Sequence, residues 1–251
     1  MTTMTTTTAR WTLCRARRQD AGIRLYCFPH SGGSPGEYLR WADQLPDAEV
    51  WGVQLPGHGS RVHEPALTDM ADLVEAIVAN IEFESPFAFF GHSLGSLVAY
   101  ETARVLRERG LPGPTRLFVS AAKPPHLHRP GPPLHGLSTE ELLAAVERTY
   151  GALPSVIRDD PETCELVLSG LRADLRIVAT YQHQPSARLD CPIEVFGGRA
   201  DDERLDELAQ WLLHTTDTCR LRMFAGDHFY FREQPDEFLA ALAGSLAQRA
   251  H

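Results

Sequence analysis

Short apolar runs of strand length alternate with amphipathic stretches of helical period along most of this chain, as βαβ units around a mostly parallel sheet require. The runs are IRLYCF at 23–28, EVWGVQL at 49–55, PFAFFGH at 86–92, TRLFVSA at 115–121, PIEVFGG at 192–198 and RLRMFAG at 220–226. The first two stop at Pro29 and at Pro56-Gly57, residues that end strands. Between them, EYLRWADQL places Tyr38, Trp41, Ala42 and Leu45 on one helical face. Thr68 is expected to cap the next helix, with Asp69 and Asp72 in its first turn and an apolar stripe of Met70, Leu73, Val74, Ile77, Val78 and Ile81. A further helix is expected behind GHSLG, closing at Gly110 after a cationic last turn, and two more at 202–213 and 235–248.

Residues 123–190 break the alternation. The Pro-rich PPHLHRPGPPLHG fits neither a strand nor a helix interior. The stretch at 138–151 opens with a capping box, Ser138 with Glu141, and 159–182 is helical by period. This block reads as a helical insertion between two sheet strands, the kind that covers a site at the carboxyl ends of strands. The Thr-rich residues 1–10 read as a disordered tail, leaving 11–251 as one domain, although the chain's 251 residues alone leave one large or two small domains open.

Composition narrows the function classes. The apolar set is 43% of the chain and the charged set 23%, so a substantial core is affordable and a mostly disordered chain is excluded. The net charge of −9 argues against a broad electrostatic grip on nucleic acid or an anionic membrane. No run is long and apolar enough for a transmembrane helix, and the start lacks the apolar core of a secretory signal. Five scattered cysteines (Cys14, Cys27, Cys164, Cys191 and Cys219) form no C-x-x-C pair and read as free thiols of a cytoplasmic protein.

The chemistry centres on GHSLG at 91–95, a G-x-S-x-G pentapeptide between an expected strand and an expected helix. So sharp a turn strains the serine backbone, and only small residues two before and two after avoid collision. Ser93 is thereby lifted above the sheet as a nucleophile, and the N–H of Leu94 becomes an oxyanion donor. A serine needs a base. Of eleven histidines, His228 in AGDHFYF follows the last expected strand and can reach over the sheet's carboxyl edge. His30 and His92 read as shaping the site, and the other histidines as solvated or hydrogen-bonded. The acid is Asp201 in FGGRADDERL, 27 residues before His228, with Asp202 as its rival and Asp227 as a turn residue. The order Ser…Asp…His is that of α/β-hydrolases. The second oxyanion donor is expected from PHSGGSPG at 29–36, with the N–H of Ser31 as the candidate.

Other chemistries fit less well. SGGSPG lacks the Lys-Ser/Thr of a phosphate loop and the spacing of a dinucleotide fingerprint, and no H-E-x-x-H is present. Arg104, Arg107 and Arg109 read as a solvated helix end, with a docking patch for an acidic partner as the alternative.

FPHSGGSPGEYLRWADQLP, VWGVQLPGHGSRVHEP, FFGHSLGSLVAYETAR, FGGRADDERL and RMFAGDHFYF, in this order and spacing, resemble the type II thioesterases. These are the free-standing editing enzymes of polyketide and nonribosomal peptide synthetases. The resemblance spans roughly residues 20–245 and implies an α/β-hydrolase fold with a flexible helical lid over 123–190. It maps a Ser93–Asp201–His228 triad and the oxyanion amides of Ser31 and Leu94 onto the chain. Two positions depart from the family pattern: Ser31 replaces the alanine of a PHAGG-like loop, and Asp201-Asp202 replaces a single Asp followed by Pro. The implied reaction removes aberrant acyl groups from the phosphopantetheine arm of acyl or peptidyl carrier proteins, with no metal or cofactor of the enzyme's own. The expected state is a monomer. Carrier proteins are usually acidic too, so docking on this chain has to use a local basic patch and apolar contacts. A carboxylesterase, a chain-releasing thioesterase and an inactive hydrolase-fold binding module remain as alternatives.

Overall fold

A computed structural model describes residues 10–131, 133–150 and 158–248. Residues 1–9 of the expected tail, the last residue of the 138–151 stretch and His251 lie outside the described residues. Seven strands form one sheet: β1 (Thr12–Cys14), β2 (Ile23–Phe28), β3 (Ala48–Val53), β4 (Phe87–His92), β5 (Leu117–Ser120), β6 (Ile193–Gly198) and β7 (Cys219–Phe224). Their order is β1-β3-β2-β4-β5-β6-β7, parallel except for β1, which runs antiparallel to β3 with Thr12 opposite Val53. Six of the strands lie where the periodicity places them. β1 was not expected: three residues are too short to show an alternation, and the strand is held by pairing with a segment far along the chain.

Each inner strand is buried on both faces, as a helix-covered parallel sheet demands. On one face, Tyr26 and Phe28 of β2 and Phe87 and Phe89 of β4 pack with two helices, α1 (Met70–Asn80) and α2 (Leu94–Glu108). On the other, Leu25, Cys27, Ala88 and Phe90 pack against Tyr38, Trp41 and Phe231, and against the last long helix, Pro235–Leu246. The period of two along each strand thus builds two cores back to back. This is the α/β-hydrolase architecture, with helices on both faces.

Local chemistry sets several boundaries. The cap of α1 is Asp69, not Thr68: its carboxylate accepts from the N–H groups of Ala71 at 2.8 Å and Asp72 at 3.2 Å. A charged acceptor one residue nearer the helix outcompetes the threonine hydroxyl. The 37–45 stretch is split into an α turn at Gly36–Leu39 and a 3₁₀ turn at Arg40–Asp43. The helix expected at 202–213 begins only at Leu205 and tightens to 3₁₀ over Ala209–His214.

The insertion lies between β5 and β6, as expected. It carries α3 (Thr139–Tyr150) and α4 (Pro161–Thr180), and with them the final helix Pro235–Leu246 becomes α5. The capping box is formed: Ser138 donates its N–H and its hydroxyl to Glu141 at 2.9 and 2.7 Å. Leu142, Val146, Cys164, Leu168 and Leu171 make a small core shared by α3 and α4. The far end of α4 joins the main core through Ile177 and Tyr181. None of the five cysteines is in a disulfide. Among the described residues, no helix is long and apolar enough to cross a membrane.

Candidate active site

β4 ends at His92 and α2 starts at Leu94, so a single residue turns the chain. That residue, Ser93, has φ 54° and ψ −121°, a region that non-glycine residues avoid. The strain is locked in by contact. A Cβ on Gly91 would lie 2.2 Å from the carbonyl oxygen of Gly95, and one on Gly95 would lie 2.1 Å from that of Phe28. The turn is tied back to the sheet by Ser93 N–H donating to the Ser120 carbonyl at 2.8 Å. Ser93 is left at the head of α2, next to Leu94, whose N–H as the first of the helix has no carbonyl one turn back to bond.

β6 and β7 deliver the other two side chains. His228, just beyond β7, donates Nδ1–H to the Asp201 carboxylate, which lies just beyond β6, at 3.0 Å. The Asp201 side chain is 7% exposed and that of His228 22%. The second Asp201 oxygen accepts the N–H of Asp202 at 2.8 Å. Asp202 itself is exposed, and the hydrogen bond to the imidazole is made by Asp201. With Nδ1 holding the proton against a carboxylate, the basic nitrogen of His228 is Nε2.

Ser93 and His228 line the same cavity, of about 390 Å³. Its walls are apolar at Leu94, Leu97, Leu127 and Val178, and charged at Lys123, Arg129, Glu203 and Glu207. Lys123 Nζ bridges Glu207 at 3.2 Å and Glu203 at 3.6 Å. Burial raises the Glu203 carboxyl above its ordinary range, an effect the Lys123 charge opposes.

His92 packs against His228, and His30 against His92. The His92 ring is fully buried, 4.9 Å from that of His228 between centroids, and its Nδ1 meets Ser120 Oγ at 2.9 Å. Burial, reinforced by the nearby charges of His228, His30 and Arg232, holds its pKa well below the usual value. Burial likewise brings His30 down to about 4. Both rings stay neutral at physiological pH, so they support His228 without adding charge beside it.

The PHSGG loop lies between β2 and the turn at Gly36–Leu39. It contains a β-turn closed by Gly33 N–H donating to the His30 carbonyl at 2.8 Å. Gly32 N–H donates to Asp174 Oδ2 on α4 at 2.7 Å. Among the described residues, the amides of Gly33 and Gly32 are thus taken up by the turn and by Asp174, and that of Ser31 by neither.

Family comparison fits this geometry. Residues 23–246 match the thioesterase domain family. The chain belongs to that family. Relatives of this thioesterase include Thioesterase PikA5 of Streptomyces venezuelae, 40% identical over 232 residues, covering 90% of this chain and 82% of the relative. Gramicidin S biosynthesis protein GrsT of Aneurinibacillus migulanus is 31% identical and covers 94% of each. Among solved structures, the type II thioesterase BorB from the borrelidin biosynthetic cluster superimposes with a TM-score of 0.84 at 34% identity, over 94% of this chain and 97% of its own. The thioesterase is a serine hydrolase of the α/β-hydrolase fold.

Two groups in the site went unread in the sequence. One is the Lys123–Glu203–Glu207 cluster. The other is the buried His58–Asp174 pair, at 2.8 Å between Nε2 and Oδ2. The signal for the second was an aspartate on the apolar stripe of α4, in register with Leu168, Leu171 and Ile177. Three of the other histidines are hydrogen-bonded as expected of ordinary ones: His126 meets His214 at 2.7 Å, and His128 Nε2–H donates to the Val178 carbonyl at 2.8 Å. Arg104 and Arg109 are held by Glu101, Glu108 and Glu75 rather than left free for a partner.

Proposed function

We propose that this thioesterase hydrolyses acyl thioesters on the phosphopantetheine arm of acyl or peptidyl carrier proteins, clearing aberrant loads from a polyketide or nonribosomal peptide synthetase in the cytoplasm. The observation that carries the reading is the meeting, around one cavity, of a serine on a strained strand-to-helix turn and an imidazole backed by a near-buried carboxylate. The names of relatives, which include a thioesterase, a gramicidin S biosynthesis protein and a type II thioesterase of the borrelidin biosynthetic cluster, support this substrate class.

Ser93 is the nucleophile, His228 the base and Asp201 the residue that orients the base. His228 Nε2 takes the hydroxyl proton as Ser93 Oγ attacks the thioester carbonyl carbon. Asp201 holds Nδ1–H and stabilises the imidazolium. The oxyanion that forms is met by the N–H groups of Leu94 and Ser31. Collapse breaks the C–S bond, and the imidazolium returns its proton to the departing thiolate of the pantetheine arm. Water, deprotonated by the same nitrogen, attacks the acyl-serine. A second collapse releases the carboxylic acid and restores the Ser93 hydroxyl. No metal or cofactor enters these steps, because the thioester itself supplies the activated carbonyl. Each oxyanion donor is worth about 2.7–4 kcal/mol in such a reaction. The insertion over the cavity acts as its lid.

The test is intact-mass analysis of a panel of carrier proteins loaded with acyl groups of increasing length, incubated with the wild type and with Ser93→Ala. Wild-type unloading and an inert Ser93→Ala are expected. Faster turnover of simple oxygen esters than of carrier-borne thioesters would move the assignment to a carboxylesterase.

A further inference from the structure

α4 presents a stripe of Leu168, Leu171, Asp174 and Ile177 to the protein interior, and Asp174 is 3% exposed. A carboxylate in such a place is costly unless donors surround it. It has two, and both meet the same oxygen: Gly32 N–H at 2.7 Å and His58 Nε2–H at 2.8 Å. The other ring nitrogen of His58 faces the Pro56 carbonyl at 3.0 Å. Both nitrogens thus point at oxygen acceptors, which requires a hydrogen on each and makes the pair an imidazolium–carboxylate bridge. Consistent with this, the His58 pKa is raised: burial pulls it down, and the Asp174 charge with the two hydrogen bonds outweighs the burial.

Gly32 lies in the turn that starts at His30. Closure by Gly33 N–H leaves the two central amides, of Ser31 and Gly32, outside the turn. Gly32 has φ 72°, as the third position of a type II turn needs. The peptide joining Ser31 to Gly32 is the one whose orientation separates type II from type I turns, and its N–H is the group Asp174 holds. We propose that Asp174 is a positioning residue for the oxyanion hole: seated by His58, it fixes the Ser31–Gly32 peptide from the insertion and so presents the Ser31 N–H to the developing oxyanion. The proposal rests on Ser31 being an oxyanion donor, as in the mechanism above. It makes α4, beyond covering the cavity, a part of the catalytic geometry. Displacement of α4 then slackens the turn that carries the donor.

The experiment compares the wild type, Asp174→Ala and Asp174→Asn on a short-chain p-nitrophenyl ester. It reads kcat, KM, the inhibition constant of an alkyl boronic acid that forms a tetrahedral adduct with the serine, and Tm. Asp174→Ala is expected to lower kcat by about tenfold to a hundredfold, part of the effect of deleting a donor outright. KM should stay within about twofold, and boronate binding should weaken in step with kcat. Asp174→Asn keeps a neutral acceptor of roughly half the strength and is expected to fall between the two. An unchanged kcat in Asp174→Ala, or a loss confined to KM, overturns the proposal. Where Asp174→Ala does not fold, Asp174→Asn decides by amide exchange. Faster exchange at Gly32, with lowered kcat at wild-type global stability, supports the role, and unchanged exchange and kcat overturn it. Wild-type protein that cleaves the ester but not loaded carriers would overturn the carrier assignment and leave this inference standing.

Discussion

A methyl group placed on Gly95 falls 2.1 Å from the carbonyl oxygen of Phe28, so the first turn of α2 rests directly on the end of β2. The obstacle is backbone, which cannot rotate aside as a side chain can. Gly95→Ala is expected to cost about 1–3 kcal/mol of stability through overpacking. It should also slow labelling of Ser93 by a serine-directed phosphonate, because relief of the clash moves the turn. Urea unfolding checks the first effect and labelling kinetics the second. A change within about 0.5 kcal/mol, the range of ordinary surface substitutions, would show that the two elements are less tightly seated than this contact implies.

The two adjacent aspartates after β6 differ sharply in surroundings. Asp201 is nearly buried against His228 at 3.0 Å, and Asp202 is exposed. Asp201→Asn can present its amide N–H to Nδ1 and so select the wrong imidazole tautomer. A fall in kcat of about 10⁴-fold is expected by the logic of such triads. Asp202→Asn should remain within about twofold of wild type, as exposed substitutions generally do. Steady-state kinetics on both variants settles the pair, and small losses in both would point to either carboxylate serving.

The His58–Asp174 bridge makes stability depend on pH in a defined direction. The folded-state pKa of His58 lies above its ordinary value of 6.5. The stabilisation is therefore complete below about 6.5, where the unfolded chain is protonated too, and is lost as pH rises through the folded pKa. The buried neutral histidines, His30 at about 4 and His214 at about 3, act in the opposite sense and lose stability as pH falls. Comparison with His58→Gln cancels their contribution, since both proteins share them. The wild-type advantage in Tm should be largest in mildly acidic buffer and shrink towards alkaline pH. An advantage that grows with pH would mean that the ring is neutral in the folded protein.

Most of the sheet and the strained turn at Ser93 were legible because their signals are local. Strand periodicity, the brakes at Pro29 and Pro56, and the glycines around Ser93 all lie within a few residues of what they shape. His228 and Asp201 were legible through their position just after strands, where a parallel sheet gathers its loops at one edge. The preference for Asp201 over Asp202 could not be forced by sequence, because both follow β6 and the deciding contact is with a residue 27 positions away. Asp174 was hidden for the same reason: its partners Gly32 and His58 lie 142 and 116 residues distant. β1 escaped because three residues carry no period.

The cavity wall predicts how acyl length is read. Beyond Leu94, Leu97, Leu127 and Val178, a chain leaving Ser93 shares the cavity with the Lys123–Glu203–Glu207 cluster. Methylenes packed on leucine gain about 0.8 kcal/mol each, whereas methylenes laid against charged groups strip them of water without return. Short acyl groups that stay among the leucines are therefore favoured. Replacing the cluster as a unit, Lys123→Leu with Glu203→Leu and Glu207→Leu, removes the three mutually bridged charges together, so that none of them is left without its counter-charge. The ratio of kcat/KM for decanoyl over propionyl thioesters is expected to rise by about tenfold or more, equivalent to two or so recovered methylenes. Single removal of Lys123 should not reproduce this, because Glu203 and Glu207 would then face the chain without a counter-charge. A chain-length profile unchanged in the triple variant would place the acyl group elsewhere than along this wall.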